Sequence, residues 1–238
     1  MKRTLSFTCL LSVVCLFPLP SAADHLPPGV QVMHMRQPQY LDKRPPKDKY
    51  TPEDISQARE LAELGDAEAQ NNLGNMLLSV GDYKHAEYWY QQASGQGIAD
   101  AYYNLGAMYF NGKGVPEDFD HALELFRQGA KRGSGRAAFE IAIMYYAGKG
   151  VAMDVQQELY WYRQAARLRI AAADYNLAVM YHNGEGVPAD DVRAYAWLLL
   201  AKDGDLDTAD AEQEIGNNLT AAQKTAAAKL SSKLPDSG

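Results

Sequence analysis

Cysteine is almost absent from this chain of 238 residues, because its two cysteines, Cys9 and Cys15, both lie near the amino terminus. The sequence after them therefore predicts a fold held by packing and hydrogen bonds rather than by disulfides. Basic charge is also in deficit, since 23 Lys and Arg residues stand against 30 Asp and Glu residues, for a formal net charge of −7. This balance argues against a nucleic acid as the partner.

Long apolar runs are lacking, and the one at residues 5–19 is too short to span a bilayer comfortably. Lys2 and Arg3 precede it, and the small residues of the segment 21–23 follow it. A basic start, a short apolar run and small residues are typical of an export signal. We therefore expect residues 1–23 to be a cleaved signal peptide, cut near Ala23/Asp24, and the product to be periplasmic or secreted.

Two alternatives exist for the same amino-terminal segment. It could form a buried helix, although its basic start and small-residue end are not typical of one. It could also carry a lipid on Cys15, but Val14 stands where a lipid-modification site usually has glycine or alanine. Cleavage without lipidation is the prediction that we retain.

Proline is concentrated in residues 24–50, which also are polar and mildly basic. This composition predicts a flexible, extended linker rather than a packed unit. Thr51, Pro52 and Glu53 then combine a capping hydroxyl, a proline suited to the first helical turn and an acidic side chain at the positive end of a helix dipole. A helix is therefore predicted to begin here, and the folded region is predicted to span 51–234.

An internal repeat dominates that region. Similar segments begin at Ala101, Ala137 and Ala173, 36 residues apart, and a shorter copy begins at Ala69. A period of this size predicts stacked helix–turn–helix units. We place the units at about 66–97, 98–133, 134–169 and 170–204, with capping helices at 206–234.

Each unit is predicted to contain two helices, which we name helix A and helix B. Paired glycines follow helix A, where backbone with positive φ favours glycine. Asp118, Asp154 and Asp190 occupy one position of the repeat, where a carboxylate caps the first amides of helix B. Gln157 is placed to complete a capping box with Asp154.

Large apolar residues recur in helix B. The three tryptophans fall at one position of the repeat, with Leu125 in the remaining unit, and the next position is also bulky and apolar. One helix pair cannot bury its own apolar face, so this pattern predicts a core shared between units. Packing accounts for the pattern without a cofactor, and none is expected. The tryptophans are Trp89, Trp161 and Trp197, and the next position holds Tyr90, Phe126, Tyr162 and Leu198.

The carboxyl-terminal helix is predicted to close the array. Thr220 and Gln223 have the spacing of a capping box at its start. Its apolar side is predicted to contain four residues, and its other side is polar. The four are Leu219, Ala222, Ala226 and Leu230.

The repeated segments resemble a known family, the Sel-one-like repeat, a variant of the tetratricopeptide-like helical repeats. The segment 103–115 and the segment 194–201 carry the closest match to its pattern, and the resemblance covers about residues 53–234. Glu158 and Arg169 depart from it, at positions where the family usually has alanine and glycine. The resemblance implies an all-α, right-handed superhelical solenoid that acts as an adaptor or scaffold for other proteins, often in bacterial envelopes.

The resemblance also raises an enzymatic alternative, because some members of the family have been linked to β-lactam binding. The chain after residue 23 contains no S-x-x-K and no G-x-S-x-G, the patterns of two activated serines. Its five histidines lack the spacing of metal ligands. We therefore predict no catalysis and no metal, and a β-lactam-interacting or cell-wall hydrolase stays the alternative.

An acidic stretch at 203–214 resembles a calcium-binding loop. Asp203, Asp205, Asp207 and Glu214 match positions 1, 3, 5 and 12 of such a loop. Thr208, however, stands where the sharp turn requires glycine. The stretch is better explained as the connection into the next helix.

The remaining candidate for function is the side of helix A opposite its stacking face. It is unusually apolar and aromatic, which is typical of partner-binding surfaces. Its first column, at positions 103, 139 and 175, holds an aromatic residue in every unit, which could instead pack against a neighbouring unit. Its last column, at positions 110, 146 and 182, is therefore the stronger candidate. We expect a non-catalytic scaffold that binds a protein or peptide, or a glycan, in this groove, aided by Asn104 and Asn176. The candidates are Tyr103, Phe110, Phe139, Ile143, Tyr146, Tyr175 and His182.

Overall fold

The structure is a computed structural model that describes residues 50–234. Over this range eleven helices follow one another and no strand occurs. Their bounds are α1 Pro52–Glu63, α2 Ala67–Val80, α3 Tyr83–Gly95, α4 Ala99–Asn111, α5 Phe119–Lys131, α6 Gly135–Ala147, α7 Val155–Arg167, α8 Ala171–Asn183, α9 Asp191–Asp203, α10 Ala209–Gly216 and α11 Ala221–Ser231.

The helices pack in chain order. Four antiparallel pairs, α2 with α3, α4 with α5, α6 with α7 and α8 with α9, supply helix A and helix B of successive units, and each helix B also packs against the next helix A. The prediction of an all-α repeat solenoid is therefore confirmed. The predicted signal peptide and nearly all of the linker lie outside the described residues. None of the helices between residues 50 and 234 is long and apolar enough to cross a membrane.

Aspartate caps begin three of the B helices, as predicted. Asp118 accepts a hydrogen bond from the backbone N–H of His121 at 2.9 Å, and Asp190 accepts one from that of Arg193 at 2.9 Å. Asp154 accepts from the N–H groups of Gln156 and Gln157. The capping box predicted for Gln157 is wrong, because the N–H of Asp154 instead donates to the carbonyl of Tyr145.

The loop between helix A and helix B contacts the preceding unit. Gly114 has φ of 77°, and a Cβ atom placed on it would overlap the Cβ of Tyr83, the first residue of the preceding helix B. Gly150 repeats the arrangement, with φ of 68° and a position for Cβ only 2.6 Å from the Cβ of Phe119. The second glycine of each loop therefore serves the stacking of units as well as the turn.

A column of fully buried side chains runs through the B helices. Tyr90, Phe126, Tyr162 and Leu198 are at most 1% exposed, one in each unit. The neighbouring position, which holds the tryptophans, is buried to different extents in different units. Trp89 and Trp197 are buried as predicted, whereas Trp161 is only partly buried, at the boundary of two core clusters.

The last helix closes the array on a face that differs in part from the one predicted. Its capping box between Thr220 and Gln223 is confirmed. Ala222 and Ala226, predicted to be buried, are exposed, while Ala227 is buried. Leu219 and Leu230 do pack against the core, so the face that α11 presents overlaps the predicted one and is turned toward Ala227.

Candidate functional site

The first column of the predicted binding strip lies in the core. Tyr103 and Tyr175 are each 6% exposed and Phe139 is 0% exposed. The ring of Tyr103 lies 6.0 Å from that of Phe126, and the ring of Phe139 lies 5.4 Å from that of Tyr162. The expectation that these three side chains face outward is wrong, because each helix A packs between two B helices. Any role for them in binding stays a prediction.

The last column of the strip is only partly buried. Phe110, Tyr146 and His182 each occupy the next-to-last residue of a helix A, and we call them the helix-end column. Two of them contact the first residue of the helix B that follows. The ring of Phe110 lies 5.3 Å from that of Phe119, and Nδ1 of His182 lies 2.6 Å from a carboxylate oxygen of Asp191. These contacts fix the orientation of Phe110 and His182 while part of their surface stays accessible.

Ile143 is also partly buried, packed against the core one helical turn before Tyr146. It therefore extends the accessible apolar surface of α6 along the helix. Lys149 lies with its ammonium 5.1 Å from the centre of the Phe110 ring, a cation–π contact between two units. The surface around the helix-end column is accordingly both apolar and charged.

Asn104 and Asn176, expected to offer hydrogen bonds to a partner, are both turned toward the fold. The amide nitrogen of Asn104 donates to the side-chain oxygens of Asn71 at 2.9 Å and Asn75 at 3.1 Å. Asn176 is 1% exposed. The donor of Asn104 is thus already engaged between two units, and Asn176 offers little surface to a partner.

Two buried carboxyl groups lie in the same unit as Tyr146. Glu140 and Glu158 are 6% and 4% exposed, and burial raises the pKa of each to about 8, with the nearby charge of Glu185 adding to the effect on Glu158. Burial, followed by the charges of Glu158 and Glu185, raises the pKa of Tyr146 as well. At neutral pH most Glu140 and Glu158 side chains are therefore protonated, and each can donate as well as accept a hydrogen bond.

The sequence distinguishes Glu158 only as a departure from the family pattern, and the burial of Glu140 was not predicted from it. The available signal was positional: Glu140 occupies the repeat position of Asn104 and Asn176. That signal does not by itself predict burial, because Asn72, at the same position of the first unit, is exposed.

We expect this burial to make stability fall as the pH rises from about 5 to about 8. Glu140, whose ordinary pKa is 4.5, loses its proton in that range when unfolded but keeps it when folded. The unfolded chain then binds fewer protons, so each such group lowers the free energy of unfolding by up to about 1.4 kcal/mol per pH unit. Urea unfolding at several pH values should show a shallower dependence for Glu140→Gln than for the unchanged protein.

Glu117→Gln, at an exposed position, is the control for the loss of a carboxyl group. It should keep the pH dependence of the unchanged protein. Equal slopes for Glu140→Gln and the unchanged protein would show that Glu140 is ionised in the folded state.

The acidic stretch at 203–214 is engaged locally. Thr208 donates to Glu212 at 2.5 Å, Lys202 pairs with Glu212 at 3.1 Å, and Asp207 accepts from the N–H of Ala209 at 3.2 Å. In the part of the chain that the structure describes, no three His, Cys, Asp or Glu side chains are grouped so that they could hold a metal ion. The stretch includes the connection from α9 into α10, and the absence of calcium stays a prediction.

The comparison with protein families decides the classification. The Sel1 repeat matches four times, at residues 67–98, 99–134, 135–169 and 171–206, which together make up more than half of the chain. The chain belongs to the Sel1 repeat family. Each match to this Sel1 repeat protein contains one of the four helix pairs described above.

Solved structures that are similar to this Sel1 repeat protein include the following two. One is a protective antigen present in uropathogenic Escherichia coli strains that displays an SLR fold, with 30% identity and a TM-score of 0.62. The match covers 79% of this chain but only 41% of that protein. The other is a Sel1 repeat protein from Oxalobacter formigenes, with 24% identity and a TM-score of 0.57, covering 68% of this chain and 74% of that one. No curated protein matches the chain.

Sel1 repeats generally mediate protein–protein interaction, and proteins with this fold are typically non-enzymatic scaffolds. Membership of the Sel1 repeat family therefore favours a binding surface over a catalytic centre as the functional site. Nothing within residues 50–234 favours the alternative of a β-lactam-interacting protein or a cell-wall hydrolase.

Proposed function

We propose that this Sel1 repeat protein is an exported, non-catalytic scaffold of the bacterial envelope that binds a protein or peptide across the helix-end column. The observation that carries the proposal is the column itself. Three partly exposed side chains, Phe110, Tyr146 and His182, recur at intervals of 36 residues, and in two of the units the side chain contacts the first residue of the next helix B. Aromatic residues at fixed positions are suited to anchoring a partner.

The arrangement favours an extended segment as the part of the partner that binds. Helices α4 and α6 contact each other directly, so Phe110 and Tyr146 lie on neighbouring helices of one face. Partly buried Ala107 and Ile143 add apolar surface next to them. A chain that crosses successive units would meet a new aromatic side chain at each unit, as in other modes of peptide recognition by repeated anchors.

Export is the part of the proposal that rests on sequence. A basic start and a short apolar run precede the small residues before Asp24. We expect protein isolated from the periplasm to have the intact mass of a chain that begins at Asp24, measured by mass spectrometry. The mass of the full-length chain, or of a chain lipidated at Cys15, would contradict this expectation.

The double variant Phe110→Leu with Tyr146→Leu tests the binding face. Leucine retains apolar volume for the core contacts but removes the two rings, so we expect the fold to persist and capture of the partner to fall at least about tenfold. Photo-crosslinking in cells, from a photoreactive side chain introduced at position 143, measures the capture. The helical circular dichroism signal and the melting temperature report on the fold.

The double variant Tyr88→Leu with Tyr160→Leu is the matched control. It also removes two rings, from helix B positions that are 50% and 51% exposed. We expect it to capture the partner normally. Equal capture by both double variants would exclude the helix-end column as the binding face.

A further inference from the structure

A tyrosine near the end of helix A recurs in three units and places its hydroxyl beside the preceding helix B. The hydroxyl of Tyr109 donates to Glu87 at 3.0 Å. That of Tyr145 accepts from Arg127 at 3.4 Å, and that of Tyr181 accepts from Arg163 at 2.8 Å. The same structural position thus meets an acid in the first case and a guanidinium in the other two.

The hydroxyl of Tyr181 contacts a second guanidinium group in addition to that of Arg163, whereas the hydroxyl of Tyr145 contacts only one among the described residues. Nη1 of Arg193 lies 3.3 Å from the hydroxyl oxygen of Tyr181, and its guanidinium carbon lies 5.1 Å from the centre of the Tyr181 ring. The residues that correspond to Arg193 in the two preceding units are His121 and Gln157. Two arginines therefore converge on the hydroxyl of Tyr181, whereas Arg127 alone donates to that of Tyr145.

This convergence leaves hydrogen-bonding capacity unused. The hydroxyl oxygen of Tyr181 accepts from both arginines, so its own O–H group can donate to a ligand. Nε of Arg193 is buried and has no hydrogen-bond acceptor among the described residues. The nearest carboxylate, that of Asp190, lies 3.9 Å from Nε and already caps α9. The rest of the Arg193 side chain is 43% exposed, so its guanidinium group is accessible to an anion that enters from solvent.

An open pocket of about 410 Å³ adjoins these groups. Arg163, Tyr181 and Arg193 line it together with Asp190 and the apolar loop residues 187–189. The pocket has room for a side chain or a terminal residue, and the loop provides an apolar surface for methylene groups. With two arginines and one aspartate, its lining has a formal charge of +1.

We propose that this pocket binds a carboxylate of the protein partner, supplied by an Asp or Glu side chain or by the partner's C-terminus. A planar carboxylate matches the paired N–H groups of guanidinium, and its single charge balances the lining. A phosphate monoester carries nearly two negative charges at neutral pH and would meet repulsion from Asp190. The partner's role rests on the proposed function, whereas the binding of a carboxylate does not.

Nuclear magnetic resonance titration of the ¹⁵N-labelled full chain with four probes tests the proposal. One pentapeptide, Ac-Gly-Gly-Glu-Gly-Gly-NH2, has only a side-chain carboxylate, and a second, Ac-Gly-Gly-Gln-Gly-Gly-OH, has only a terminal one. The neutral Ac-Gly-Gly-Gln-Gly-Gly-NH2 and inorganic phosphate complete the set. We expect saturable shifts of the Arg193 Nε–H and Tyr181 N–H signals with at least one carboxylate peptide, and the peptide that binds more tightly identifies the source.

Two variants provide the comparison. Arg193→Gln gives the Tyr181 position the side chains found around Tyr145, and should weaken binding of the carboxylate peptide at least about tenfold. Arg127→Gln removes the single guanidinium at Tyr145 and should leave binding unchanged. The remaining amide signals of each variant verify that the fold is retained.

The proposal is overturned if neither carboxylate peptide binds more tightly than the neutral one, if phosphate binds more tightly than both, or if the two variants weaken binding equally. These outcomes are independent of the helix-end column, because none of the probes requires it. Carboxylate binding together with normal capture by the Phe110→Leu, Tyr146→Leu variant would overturn the proposed binding face and leave this pocket standing.

Discussion

Replacing Phe126 with alanine is expected to lower the free energy of unfolding by about 3–5 kcal/mol. The side chain is 0% exposed and lies in the cluster shared by α4, α5 and α6. Its ring packs close to Gly106, with the rings of Tyr103 and Phe110 at 6.0 and 6.3 Å. Alanine would leave a cavity between two units, because helices held on both sides can collapse only partly to fill it.

Chemical denaturation followed by circular dichroism measures this effect. Tyr160→Ala is the control, since it also removes a ring from helix B but at a position 51% exposed. It should change the free energy of unfolding by less than about 1 kcal/mol. A similar loss for both variants would show that the column containing Phe126 is not the core of the array.

Gly114→Ala is expected to cost about 3 kcal/mol, a large effect for a single methyl group. The backbone of Gly114 has φ of 77°, which is unfavourable for alanine, and the added methyl group would overlap Tyr83 of the preceding unit. The second effect forces the loop away from α3 and so loosens the contact between units.

Gly81→Ala separates these two contributions. Gly81 has φ of 87°, but a Cβ atom there would meet nothing within 4 Å. It should cost only about 1–2 kcal/mol, the part due to the backbone. The same denaturation experiment compares the two variants, and equal losses would mean that the overlap with Tyr83 is relieved without cost.

The regular part of the fold was predictable from sequence because it depends on local signals. The spacing of 36 residues, the cap at Asp118 and the helix-ending glycines each act within a few residues of the chain. Arg169 shows the limit of such rules. It has φ of 62° at the position where Gly133 has φ of 97°, so the loop geometry is kept although the residue that favours it is absent.

The faces that each helix presents were harder to predict. Periodicity shows that a helix has an apolar side. It does not show how many neighbours the helix contacts, and because α4 and α6 each contact several helices, Tyr103 and Phe139 are buried on the side predicted to face outward. The burial of Ala227 in place of Ala222 and Ala226 has the same origin, because alanine is compatible with either side of α11.

The candidate sites depend still more on distant contacts. The helix-end column was found from sequence because its members are related by the repeat. The convergence of Arg163 and Arg193 on Tyr181 joins residues 18 and 12 positions apart in the chain, across three helices. The raised pKa of Glu140 likewise depends on what surrounds it in space.

The contact between each loop glycine and the first residue of the preceding helix B has an evolutionary consequence. Gly114 meets Tyr83, Gly150 meets Phe119 and Gly186 meets Val155, so each junction is formed by equivalent positions of adjacent units. A duplication of 36 codons therefore inserts a unit whose two junctions are already compatible with their neighbours. Tandem duplication can therefore lengthen such a protein without interrupting its core. In each new copy, the residue of helix B that faces the tyrosine hydroxyl can then change between acidic, neutral and basic.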